Sequence, residues 1–495
     1  MRLLGMTQEF RRPSRYQKST NTNSSTSDYP MIHIARLVVL IGIIFTTSAQ
    51  FSLSASADDT QQNLANDDGK SQTKVPLETK EEKAEQQSWL LHAQGTEIFQ
   101  GQPGFHDPYD GVNSLRSTDN FRQTSSLDLF FGSRFWPGSE FYFNPEYFQG
   151  FGLGLTHGIA AFPNAQAYKV GKYRGDLFIP HFFLRQVWGL GGEQEQIDGD
   201  LVQLAGKADI SRVTLTVGKM GVGDQFDNNA YAHDPTTQFL NWVLVDQGSF
   251  DYAADSLGYE YGATLELNQK RWAVRWGIFT VPRVSNGLAT DGHYAKAWQQ
   301  VAELEERYEL CGHPGKIRFL GYLESAKMGS YRATLNNPSL GNDITQTRRY
   351  RYSYGLGINI EQEITKDIGA FLRAGYRDPN YEIWQFTDVT RSLSLGLQIK
   401  GSAWCRPNDT FGLADALDGV GHAQRKFFAA GGLGPLVGDG KLPHYGLENV
   451  IETYYNFEVF KGVNLSLDYQ LVINPAYNQD RGPINVFAAR IHFQY

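Results

Sequence analysis

The residues best suited to chemistry lie in one long segment, residues 221–255, which is rich in carboxylates, amides and aromatic rings. It contains Asp224, Asp227, Asn228, Tyr231 and Trp242. A hydroxyl-rich solute needs both kinds of group, because its C–H faces stack on rings while its hydroxyls need polar partners. The same rings could instead anchor the segment to a neighbouring wall. Both interpretations stay open at this stage.

Charged residues of both signs recur on the polar faces of segments in which apolar and polar residues alternate. They are Arg212, Arg271, Arg275, Arg318, Arg373, Arg377, Arg490, Glu260, Glu266, Glu361 and Asp468. A pore for anions would show arginines with few acids, and a pore for cations the reverse. Mixed charge therefore favours a neutral solute. Our candidates for a weak solute site are Arg185, Arg212, Arg275, Asp224, Asp227, Asn228, Tyr231 and Trp242.

Catalysis has little support in the sequence. The chain contains no Gly-x-Ser-x-Gly elbow, zinc-ligand spacing or phosphate-binding loop. A pair of carboxylates could serve a glycosidase, but one sequence does not fix their separation. We predict that the protein is not an enzyme and uses no cofactor or metal.

The elements that carry these residues read as β-strands. In residues 484–495, Phe487 and Ile491 alternate with Arg490 and His492, and the segment ends on Tyr495. The same period of two recurs in residues 352–361, 368–377, 392–400 and 463–473. Strands of about ten residues suit a tilted crossing of a membrane. Because lipid cannot hydrogen-bond a backbone, the sheet must close on itself, and the polar faces then line a lumen.

The links between strands alternate in length, which is typical of a transmembrane antiparallel β-barrel. Links near residues 268–271, 365–367 and 460–462 are short, whereas those at 220–254, 329–351 and 421–444 are long. The short turns would face the periplasm and the long loops the exterior. Seventeen candidate strands follow residue 88, but an even number is expected, so we predict sixteen. Residues 139–210 are the least certain part of this count.

The amino-terminal region reads as a targeting segment followed by a tail. Residues 37–45 form a short apolar run after Arg36, and Ala55 and Ala57 complete a cleavage signal. Residues 1–57 are predicted to be an upstream extension with a secretory signal at about 31–57, starting at Met31. Residues 58–87 are charged and are predicted to be a flexible periplasmic segment. Residues 88–495 are predicted to form the barrel in a Gram-negative outer membrane.

The two cysteines, Cys311 and Cys405, fall in predicted turns on the same rim. Four strands at ~4.8 Å spacing separate these turns by about 20 Å. That distance exceeds the reach of a disulfide, so we predict two free thiols.

Several motifs resemble the carbohydrate-selective outer-membrane porins of the OprB type, from about Trp89 to Tyr495. The most specific are residues 217–219, 224–229, 231–235, 238–242 and 251–255, and others lie at 109–115, 143–146, 184–186, 191–193, 328–331 and 404–409. The resemblance implies a sixteen-stranded barrel that passes glucose-like sugars by facilitated diffusion. It does not settle which sugar passes.

The expected partners follow from this interpretation. They are carbohydrate solutes, outer-membrane lipid and, through the strand that ends at Tyr495, the barrel-assembly machinery; no nucleic acid is expected. Homo-oligomerisation stays open, because barrels of this kind occur as monomers and trimers. The alternatives are a general or ion-selective porin without sugar selectivity and an outer-membrane hydrolase. An energy-coupled transporter would need a plug domain, for which residues 58–87 are too few.

Overall fold

The computed structural model describes residues 86–169 and 171–495. The predicted signal and upstream segment, and residues 58–85 of the predicted periplasmic tail, lie outside the described residues. Among the described residues, no helix is both long and apolar enough to cross a membrane.

Sixteen antiparallel strands close into a barrel, in which each strand pairs with its chain neighbours and the first pairs with the last. The strands are β1 (Trp89–Gly101), β2 (Phe121–Ser133), β3 (Ser139–Gly150), β4 (Lys172–Gly189), β7 (Arg212–Met220), β8 (Glu260–Asn268), β9 (Trp272–Phe279), β10 (Trp298–Leu310), β11 (His313–Ala326), β12 (Arg351–Thr365), β13 (Ile368–Arg377), β14 (Arg391–Gly401), β15 (Arg406–Gly419), β16 (Glu448–Phe460), β17 (Val463–Ile473) and β18 (Ile484–Gln494). This confirms the predicted count. Residues 139–210, the least certain part of that count, contain β3 and β4 and also a separate hairpin, β5 (Gln194–Ile197) and β6 (Gly206–Asp209), which is set off from the barrel.

Closure of the barrel depends on the pairing of β1 with β18, from Gln94 opposite Gln494 to Gly101 opposite Phe487. The alternation predicted for β18 is present: Phe487 and Ile491 are exposed on the outer surface, whereas Arg490 and His492 are buried in the lumen. A slip of one residue would place arginine in lipid, so the side-chain pattern fixes the register.

Short helices occur in the connections between strands, and all but Ser402–Trp404 lie in the long loops. The α-helices are α1 (Trp242–Val245), α2 (Tyr331–Leu335) and α3 (His422–Ala429), and the 3-10 helices are Leu153–Leu155, Pro338–Leu340, Ile344–Thr347, Ser402–Trp404 and Pro475–Tyr477.

Two details of the turns complete the comparison with the sequence. Cys311 and Cys405 lie in exposed short turns as free thiols, as predicted. Arg271, predicted to face the lumen, is instead exposed in the turn between β8 and β9. The alternating pattern ends with β8 at Asn268, so its phase does not extend to Arg271.

The long connection between β7 and β8, residues 221–259, turns into the barrel, and we call it the inserted loop. Its side chains Phe239, Trp242 and Leu244 join a buried cluster with Phe162 and Phe386 of two other loops. The inserted loop therefore packs like a core element within the lumen.

Two glycines on the barrel wall make room for the inserted loop. Gly357 of β12 pairs with Gly375 of β13. A Cβ atom at Gly375 would lie 2.3 Å from Cδ and 2.5 Å from Oγ of the loop residues Gln247 and Ser249. The absence of side chains at this pair lets the loop backbone approach the wall closely.

We predict that Gly375→Val loosens the inserted loop, because a valine would overpack this contact by about 1–3 kcal/mol. Single-channel recordings in planar bilayers should show greater open-channel noise than for the wild type. Gly321→Val is the matched control, since Gly321 of β11 meets only a Leu356 methyl carbon, at 3.4 Å. Wild-type noise in Gly375→Val would contradict the assigned contact.

Candidate functional site

A cavity of about 840 Å³ lies between the inserted loop and the hairpin β5–β6. Five of the eight predicted site residues line it: Arg185, Arg212, Arg275, Asp224 and Asn228. Five of the barrel strands, β3, β4, β7, β8 and β9, contribute wall residues, and the hairpin contributes residues between 194 and 209. Most of the polar residues selected from the sequence thus surround this one cavity.

The arginines of the cavity are held in ion pairs. Arg275 Nε lies 2.6 Å from Glu266, and its Nη1 lies 2.9 Å from Glu303 and 3.2 Å from Glu305. Arg212 Nη1 lies 2.5 Å from Glu195 of the hairpin. These pairs fix the positions of the guanidinium groups and cancel much of their charge.

A second set of pairs centres on Glu140 of β3. Its two carboxylate oxygens lie 2.9 Å from Arg134 Nη2 and 3.2 Å from Arg185 Nη1. Arg185 also lies over the Tyr142 ring, 5.2 Å from the centroid, and donates to the carbonyl of Val202. The guanidinium of Arg185 is therefore oriented by three neighbours.

The inserted loop presents Asp224 and Asn228 to the cavity, and both side chains are exposed there. Asp224 Oδ2 lies 2.8 Å from His181 Nε2 and accepts a hydrogen bond of 2.9 Å from the backbone N–H of Gly221. The surrounding protein removes part of the water around the carboxylate and so opposes ionisation, but His181 and these hydrogen bonds hold the pKa of Asp224 below its usual value. The side chain is thus an anionic acceptor at neutral pH. Thr214, Thr216 and Thr264 add hydroxyl groups to the same wall.

Asp227 does not line the cavity but anchors the inserted loop to the wall. Its carboxylate lies 3.1 Å from Arg373 Nε and accepts a 2.7 Å hydrogen bond from Asn359 Nδ2. Its backbone N–H donates to Glu303 Oε2 over 2.8 Å. A buried carboxylate needs such partners, so Asp227 links the loop to three strands at once.

Tyr231 and Trp242 also lie outside the cavity lining. Trp242 is 5% exposed, stacks on Phe386 at 5.4 Å and donates its indole N–H to the carbonyl of Asn164. The Tyr231 ring lies against the barrel wall at Gly369. Both rings have the anchoring positions that the second interpretation predicted. Solute binding by any of the eight residues stays a prediction.

Several residues of the arrangement escaped the sequence reasoning. Glu303 and Glu305 alternate along β10 and could have been found from the period of two, and Glu140 follows the same rule on β3. Glu448 and Glu452 also alternate, along β16, but their hydrogen bonds to loop backbones could not be predicted, nor could those of Asp251, because only the folded loops bring these partners near. The hairpin β5–β6 as a boundary of the cavity was also missed.

Among the described residues, no group of three or more His, Cys, Asp or Glu side chains is placed to hold a metal ion.

A closed sixteen-stranded barrel with long loops folded into its lumen defines the class: this is an outer-membrane β-barrel channel of a Gram-negative bacterium. The model of the carbohydrate-selective porin, OprB family, matches residues 112–495. The chain belongs to the OprB family of porins.

The chain is also similar to solved structures. A high-pH structure of OprB from Pseudomonas putida is 16% identical, with a TM-score of 0.62, and the match covers 82% of this chain and 94% of that chain. The outer-membrane channel DcaP of Acinetobacter baumannii is 9% identical, with a TM-score of 0.48 and coverage of 82% and 97%. A search of curated proteins found no match.

The inserted loop carries a carboxyl group that titrates in an accessible range. Burial, with the nearby Asp227 carboxylate, raises the pKa of Asp246 to about 6, against the opposing effects of His233 and Arg373. A carboxyl group with a raised pKa stabilises the folded loop most at low pH. This contribution is complete below about pH 4 and is lost as the pH rises through about 6.

We therefore predict that the amides of residues 241–250 exchange hydrogen more slowly at pH 5 than at pH 7, after correction for intrinsic rates. Asp246→Asn should remove most of this pH dependence, because the amide cannot ionise. Asp343→Asn, which changes an exposed carboxylate in another loop, should leave the pH dependence of exchange unchanged. Equal pH dependence in the wild type and Asp246→Asn would contradict the assignment.

Proposed function

We propose that the channel passes neutral carbohydrates, glucose-like mono- or oligosaccharides, by facilitated diffusion, with the cavity beneath the inserted loop as a weak binding site. The observation that carries this proposal is the internal pairing of charge in the cavity wall. Arg134, Arg185, Arg212 and Arg275 all have carboxylate partners within 3.2 Å. A wall neutralised in this way offers little field to select an ion of either sign.

The same wall retains groups that suit a sugar. A guanidinium group has five N–H donors, and its ion pairs engage only some of them. Asp224 and Asn228 supply acceptors and an amide donor, and three threonines supply hydroxyl groups. A solute with many hydroxyls can exchange its water for these partners at little net cost. The carbohydrate-selective description of the family points the same way.

Weak binding is a requirement of this function, since a solute held tightly would block the channel that it should cross. The cavity is suited to weak binding, because the charged groups of its wall are already paired with one another. No aromatic ring of the inserted loop adds to the lining, whose two tryptophans, Trp136 and Trp188, lie in the turn between β2 and β3 and on β4. We infer that the inserted loop contributes to selectivity through hydrogen bonds rather than through stacking.

The proposal is tested by single-channel conductance in a planar bilayer, with glucose, maltose and succinate titrated in turn. Saturable block by the sugars but not by succinate is the expected result. Current that is indifferent to all three would assign a general diffusion porin instead. Block by succinate alone would indicate an anion channel.

We predict that Asn228→Ala weakens sugar block about fivefold, because removal of one hydrogen-bonding group costs about 1 kcal/mol. The ion conductance without sugar should stay close to that of the wild type. Asn337→Ala, an exposed asparagine in the loop between β11 and β12, is the matched control and should leave the block unchanged. Unchanged block in Asn228→Ala would remove Asn228 from the site.

A further inference from the structure

A second, smaller cavity of about 270 Å³ lies on the outside of the barrel at the long-loop rim. Its lining includes Tyr376, Arg391, His422, Arg425 and Tyr445. Tyr376 and Arg391 are paired in register on β13 and β14. Both side chains are exposed and lie on the lipid-facing side, since Leu393 and Leu395 on the same face of β14 are also exposed. The cavity is thus separate from the lumen site.

The position of the cavity places it at the surface of the outer leaflet. The long loops of such barrels face the exterior, and aromatic residues mark the membrane interface. Arg391 begins β14 at that end, directly above the apolar residues that face the lipid chains. A ligand in this cavity could therefore keep acyl chains in the bilayer while its head group meets the arginines.

The charge of the cavity is positive and uncompensated. Neither Arg391 nor Arg425 has a carboxylate within 4.0 Å among the described residues, in contrast to the paired arginines of the lumen. The carboxylate nearest in sequence to the lining, Asp378, is buried and accepts hydrogen bonds from Asn380. Asp418 beside Gly419 is also buried, on the luminal face. Two guanidinium groups at an interface without an anion form a ready site for phosphate.

Local geometry directs both arginines into the cavity. The Arg391 side chain lies over Gly419 of β15, where a Cβ atom would come within 2.7 Å of its Nε and 3.2 Å of the Tyr445 hydroxyl. Arg425 lies over the Tyr445 ring, 4.6 Å from its centroid. The Tyr445 hydroxyl in turn accepts from the backbone N–H of Val420 at 3.3 Å. Tyr445 therefore brings the two guanidinium groups to one place.

The amino-terminal end of α3 opens on the same cavity. Gly421 caps this helix without a side-chain acceptor, and His422 and Arg425 lie in its first two turns. Free N–H groups at a helix start favour an anion and add to the effect of the arginines.

We propose that this cavity binds a phosphate group of an outer-leaflet glycolipid, with Arg391 and Arg425 as its principal ligands. The lipid is favoured over a soluble anion because the cavity adjoins the exposed leucines Leu393, Leu417 and Leu447, which can contact acyl chains. Bound lipid would tie the loop between β15 and β16 to the membrane surface.

The test measures binding of bis-phosphorylated lipid A to the purified full chain in detergent by native mass spectrometry. The double variant Arg391→Gln, Arg425→Gln should bind lipid A with an affinity at least tenfold lower than that of the wild type. Arg332→Gln, which removes an exposed arginine from another loop, should bind like the wild type. Lipid A without phosphate groups should bind to the wild type and to the double variant with the same low affinity.

A second variant tests the geometry without a change in charge. Gly419→Val should displace Arg391 and weaken binding several-fold. Correct folding of each variant is checked by its migration in unheated gels and its single-channel conductance. Wild-type binding by the double variant, or efficient displacement of lipid A by micromolar inorganic phosphate, would overturn the lipid site.

Discussion

The structure depends on one constraint, that every backbone N–H and C=O group removed from water must find a partner. In the membrane the barrel meets it by pairing β1 with β18. Inside the lumen, carboxylates of the barrel wall accept hydrogen bonds from the backbones of the loops. Glu448 accepts from the backbones of Ala160, Ala161 and Ala476, whereas Glu452 accepts from Leu240 and Asn241. The loops can be buried in the lumen only because the wall provides such acceptors.

This constraint divides the charged groups of the lumen into two sets with different tasks. One set, which includes Arg373, Arg490 and Glu452, holds the backbone of the inserted loop and is buried by it. The other set, which includes Arg185 and Arg275, faces the cavity below. The two sets have the same residue types and the same alternating pattern. Their difference arises from the place where the inserted loop lies, since that loop excludes water from one part of the wall and leaves the other part hydrated.

The sequence predicted the barrel well because lipid imposes a repeating pattern on each strand. The predicted bounds of 463–473 and 368–377 match β17 and β13. It predicted the site less completely. Arg185, Arg212 and Arg275 line the cavity because strand alternation determines which side they face, whereas the fate of Asp227 and Trp242 depends on tertiary contacts such as Arg373 and Phe386. Alternation carries no information on those contacts. For the same reason the hairpin β5–β6 was not foreseen.

Paired charge is a sound way to line a passage for neutral, hydroxyl-rich solutes. Unpaired arginines would attract anions, and an apolar wall would exclude sugars because their hydroxyls would lose water without compensation. An arginine bound to glutamate keeps its guanidinium fixed and still has donors free for water. A sugar hydroxyl replaces that water with a similar hydrogen bond, so the net gain per contact is small. Many weak hydrogen bonds together can recognise the shape of a solute, while each bond remains easy to break. Entry and release of the solute therefore depend on the same exchange of hydrogen bonds with water.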